Sequence, residues 1–162
     1  MARGYIFEVS DNIDELGTIS EDDYYGRLWK LAVDYVRDRE GESHDAAIDT
    51  ALGTMKNKGM ETGSKDIGGV IWKWFIPTKS CLKRMSEEAL GDFRKHAAGL
   101  TAEDFAEDSY KLFETRQALK NTCGDLFIKP DGCEYPFLQW IANLPDEKFG
   151  EKFYFGNVVL MH

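Results

Sequence analysis

Val70-Ile71-Trp72-Lys73-Trp74-Phe75-Ile76-Pro77 is the stretch on which the fold class turns. Its alternation sets Val70, Trp72, Trp74 and Ile76 on one face and Ile71, Lys73 and Phe75 on the other. One face is wholly apolar and the other nearly so, which is the pattern of a strand inside a sheet. Pro77 ends it. A helix follows at once over 79–97, with Leu82, Met85, Ala89, Phe93 and Ala97 on one side and Gly99 as its stop.

Outward from this strand the pattern is uneven. Residues 5–9 alternate as a β-rich strand, and 10–17 carry turn residues. Acidic residues 21–23 after Ser20 open an expected helix on Tyr24, Leu28, Leu31, Ala32, Tyr35 and Val36. Ser43 caps a second helix reaching Met55, with Ala47, Ile48, Ala51 and Leu52 as its stripe. Residues 56–69, with four glycines, read as a flexible turn region. Thr101 and Asp104 resemble a capping box for a further helix to about Lys120. Residues 126–135 read as a hairpin about Pro130-Asp131-Gly132, a turn that sets Cys133 opposite Ile128. A short helix over 137–144 and a last strand over 153–161, bulged at Gly156, complete the chain.

Strands and helices do not alternate singly. The expected fold is therefore α+β: one domain over residues 1–162, with a mainly antiparallel sheet of about four to five strands and about four helices. A chain of 162 residues buries enough surface to fold without metal or disulfide.

The net charge of −9 is distributed unevenly. Residues 4–54 carry 13 acids and 4 bases, residues 55–84 carry 2 and 7, and residues 85–162 carry 14 and 8. A negative field repels nucleic acid at long range, so nucleic acid is not expected as a whole-surface partner. The longest apolar runs, Val70 to Trp72 and Val158 to Met161, are far below the ~20 residues of a membrane span. The N-terminus lacks a secretory pattern, so the expected location is the cytoplasm, with Cys81, Cys123 and Cys133 reduced.

No motif for chemistry is complete. Gly63 and Gly68 have phosphate-loop spacing, but Gly69 and Val70 stand where its lysine and hydroxyl belong, and the segment precedes a strand. The three cysteines and three histidines lack metal-ligand spacing. Glu87/Glu88, Glu103/Glu107 and Asp104/Asp108 read mainly as helix-terminal charge. Ser43-His44-Asp45 are adjacent in sequence, whereas catalytic triads meet in space, and Cys81 with His96 has only its residue types in its favour. The expectation is no catalytic, cofactor or metal site.

Two charged surfaces are the candidate interaction sites. One is acidic: Asp14, Glu15, Glu21, Asp22 and Asp23. The other is basic: Lys56, Lys58, Lys65, Lys79, Lys83 and Arg84, near Trp72 and Trp74. The leading expectation is an acidic protein that acts through another protein or a second copy of itself. An alternative is an enzyme or ligand-binding protein with a site near residues 59–69. A second alternative is a phosphate mimic that inhibits nucleic-acid machinery, since spaced carboxylates can occupy a basic groove.

Overall fold

The computed structural model describes residues 4–17, 33–36, 42–121, 126–128 and 134–161. The fold is α+β, and among the described residues there is one seven-stranded sheet. Its strands are β1 (Gly4–Ser10), β2 (Val33–Val36), β3 (Glu61–Ile67), β4 (Val70–Ile76), β5 (Leu126–Ile128), β6 (Glu134–Pro136) and β7 (Phe153–Met161). The helices are α1 (Glu42–Asn57), α2 (Lys79–Ala97), α3 (Ala102–Ala106), α4 (Tyr110–Asn121) and α5 (Phe137–Ala142). The strand order is β3-β4-β7-β1-β5-β6, with β2 pairing β7 off this path. All pairs are antiparallel except β1 with β5.

β7 organises the sheet. One of its edges pairs with β1 from Gly4↔Met161 to Ser10↔Tyr154. Its other edge is divided. β4 takes Phe153 and Tyr154, and β2 takes Val158 to Met161. Among the described residues the register of β4 ends at Tyr154 and that of β2 starts at Val158, so the sheet forks there. The register between β1 and β7 also shifts at this point. Phe7 opposes Val158 and Val9 opposes Phe155, which leaves Gly156 and Asn157 against Glu8. This is the bulge expected at Gly156.

The core lies on the face that carries Phe7, Val9, Phe75, Phe153, Phe155 and Val158. α1 covers it with Ala47, Ile48 and Met55, and α5 with Phe137, Trp140 and Ile141. Phe75 is the hub. Its ring lies 5.5–6.0 Å from those of Phe137, Trp140, Phe153 and Phe155. Trp140 meets Phe153 edge-on at 4.9 Å. Tilted and edge-on aromatic pairs each add about 0.5–1.5 kcal/mol beyond area burial.

β4 lies between β3 and β7, as its sequence predicts, but pairs with β7 only through Trp74 and Phe75. Its first half extends past β7 beside β3. Residues 61–67, expected to be a flexible turn, form β3 instead. The reason is in the pairing. Gly68 and Gly69 have φ of 62° and 85°, which suits the tight two-residue turn joining β3 to β4. Gly63 faces Trp74, whose ring covers it; a Cβ there would stand 2.5 Å from Trp74 Cζ2. Lys152 Nζ closes over the same ring at 4.3 Å.

Three further expectations change. Val33–Val36, read as the end of a helix, is a strand; a β-branched and aromatic sequence meets a free stretch of β7 edge. The rest of that expected helix lies outside the described residues. The helix from Thr101 breaks into α3 and α4. Asp108 takes φ 47°, and Ser109 Oγ accepts from Leu112 N at 3.2 Å to start α4 anew. In the β5–β6 hairpin Ile128 pairs with Glu134, one residue beyond the expected register; Cys133 and the turn lie outside the described residues.

Candidate functional site

α1 passes over the fork in the sheet. His44, in its first turn, is 4% exposed, and its Nε2 lies 2.9 Å from the carbonyl oxygen of Gly156. A carbonyl only accepts, so Nε2 carries the proton and donates. This bond holds a backbone group on the stretch of β7 that lies between its pairings with β4 and with β2. Glu8 performs a similar task, buried at 4% exposed. Its Oε1 accepts from Asn157 N at 3.2 Å and from Gly17 N. Two polar side chains thus hold the bulge together, as buried backbone groups require.

Beside this anchor is a cleft of about 470 Å³, lined by His44, Asp45 and Ile48 of α1, Gly69 to Lys73, and Phe155. Its walls are mostly apolar. The polar groups are His44, Asp45, whose Oδ1 stands 3.4 Å from His44 Nδ1, and Lys73, which pairs with Asp49 one turn along α1. Val70 and Ile71, at 43% and 66% exposed, form the rim. Size and lining fall within the range of ligand sites, where an apolar wall carries a few fixed polar groups.

The basic residues singled out in the sequence are divided among acids. Lys58 and Arg84 converge on Glu88, Arg84 at 3.1 Å. Hydrogen bonds from Lys58 and then Arg84 hold the Glu88 carboxyl below its usual range. Lys79 reaches Asp146 at 2.9 Å and lies over the Phe149 ring. Lys56, Lys65 and Lys83 are exposed. On the acidic side, Asp14 and Glu15 are exposed in a short 3-10 turn, where Glu15 accepts from Ser10 Oγ at 2.9 Å. Glu21, Asp22 and Asp23 lie outside the described residues.

The remaining candidates do not converge. Cys81 is buried at the start of α2, with Sγ 3.3 Å from Lys58 O, and His96 is exposed in the last turn, bonded to Asp92 O at 2.7 Å. They stand ~22 Å apart at helical rise. Cys123 and Cys133 lie outside the described residues. Among the described residues, no group of three or more His, Cys, Asp or Glu could hold a metal, and no helix is long and apolar enough to cross a membrane. Asp104 closes the capping box with Thr101, and backbone and side-chain hydrogen bonds from Thr101 and Ser109 hold its carboxyl low.

Sequence reasoning missed the partnership of His44 with Gly156. It placed the bulge at Gly156 and a helix from Ser43, but nothing in the spacing of two residues 112 positions apart shows that they touch. No family model, curated protein or solved structure matches this chain.

Proposed function

We propose that this protein acts by binding another protein through the projecting half of the β3–β4 hairpin. The observation that carries this reading is the exposure of Val70 and Ile71 at the rim of an apolar cleft. A β-branched pair left in water beside such a cleft is the kind of surface that protein interfaces cover. β3 adds to it. It ends the strand order, and no strand among the described residues pairs with its outer edge. Such an edge can accept an extended segment by backbone hydrogen bonding. In this reading the protein works in the cytoplasm and its lysines tune encounter with the partner.

The test is Ile71→Asp, with Glu114→Lys, at an exposed position of α4, as control. A partner captured by the wild-type protein should be lost with Ile71→Asp and kept with Glu114→Lys. Self-association measured by sedimentation should follow the same order if the partner is a second copy. Equal capture by both variants, or none by the wild type, overturns the reading.

A second reading is that the cleft itself holds a small ligand. It is favoured by the His44–Asp45 pair on its wall, close to the glycine-rich segment that the sequence points to.

A further inference from the structure

The second reading can be taken to a ligand class, and the inference below rests on it. His44 is oriented by its bond to Gly156 O, which fixes the proton on Nε2. In the neutral ring Nδ1 then presents a lone pair. Asp45 Oδ1 stands 3.4 Å away, past the 2.7–3.2 Å range of a well-made bond. Two acceptors at this separation can share one donor placed between them, at about 2.9 Å from each. The Asp45 side chain is half exposed and that of His44 is 6% exposed, and both line the cleft. The neighbouring carboxylate, Asp49, is already neutralised by Lys73. Ile48, Val70, Ile71 and Phe155 supply the apolar wall.

We infer that the cleft binds a protonated primary amine carried on an apolar stem. The ammonium sits between His44 Nδ1 and the Asp45 carboxylate, and the stem lies against Ile48, Ile71 and Phe155. A free amine and a lysine side chain of a protein share this chemistry. An anion is disfavoured by Asp45, and a neutral alcohol forfeits the charge-assisted bond.

The experiment titrates the full chain with 2-phenylethylamine, 2-phenylethanol and 3-phenylpropanoate, followed by amide chemical shifts. A capped Leu-Lys-Leu peptide distinguishes the two sources of amine. The amine or the peptide should shift residues 44–49 and 69–73 saturably. The alcohol and the carboxylate should bind at least about tenfold more weakly. Asp45→Asn should weaken the amine by a similar factor and leave the melting temperature unchanged. Tighter binding of the peptide than of phenylethylamine assigns the amine to a protein side chain, and the reverse assigns it to a small molecule. Equal binding of all three phenyl probes overturns the amine assignment while leaving a ligand cleft. Absence of saturable shifts from any probe overturns both.

Discussion

At the residue scale, the bulge between β1 and β7 sets the requirements. A Cβ on Gly156 would be driven into the Glu8 carboxylate and would crowd Leu16. Glu8 cannot move aside without giving up its bonds to Asn157 N and Gly17 N. Gly156→Ala is therefore expected to destabilise the protein by about 1–3 kcal/mol through overpacking. Gly53 gives the opposite case. It is exposed inside α1 and a Cβ there meets nothing within 4 Å. Gly53→Ala is expected to stabilise by about 0.5–1 kcal/mol, because alanine loses less chain entropy in a helix. Urea unfolding of the two variants checks both signs. A stable Gly156→Ala would mean that Glu8 does not hold the bulge. Sequence reading reached Gly156 as a bulge, but not the carboxylate above it, because Glu8 and Asn157 are brought together only by strand pairing.

At the element scale, the chain just past α1 is tied to α2 by charge. Lys58, just after α1, and Arg84 on α2 both bond Glu88. The Glu88 carboxyl is held below its ordinary 4.5, so the charged form is favoured more in the folded than in the unfolded chain. Its contribution to stability is present above pH 4.5 and is lost as the pH falls through the lowered folded value. Asp104 behaves alike below its ordinary 3.8. Glu88→Gln is thus expected to flatten the acid limb of a stability–pH curve while leaving its slope above pH 6 unchanged. An unaltered acid limb in the variant would show that the Lys58–Glu88–Arg84 contact is not maintained in solution. The interaction is solvent-exposed, which screens it and keeps its effect modest.

At the scale of the whole molecule, stability depends on β7. It pairs with β1, β2 and β4, and it carries Phe153, Phe155 and Val158 into the core. Deletion of residues 153–162 is expected to abolish cooperative unfolding and the near-ultraviolet signal of the aromatic core, not merely to lower the midpoint. A deletion variant with a sharp thermal transition would refute this. The same strand explains the fork: β4 and β2 share one edge of it, α1 is pinned over the gap through His44, and the cleft opens beside the gap.

Local pattern in the sequence was sufficient for β1, β4, α1, α2, α5 and β7, since each is set by apolar periodicity and by a proline, glycine or cap at its end. It was sufficient for the α+β class, which follows from how those elements succeed one another. It was insufficient where partners decide. β3 is mostly polar, with a glycine at its third position, and becomes a strand because β4 pairs with it and Trp74 covers Gly63. Val33–Val36 is a strand because β7 has a free edge there. The cleft belongs to this second group. Its histidine, its carboxylate and its apolar wall come from α1, β4 and β7, and only the folding of these elements onto one another gives the three a common surface.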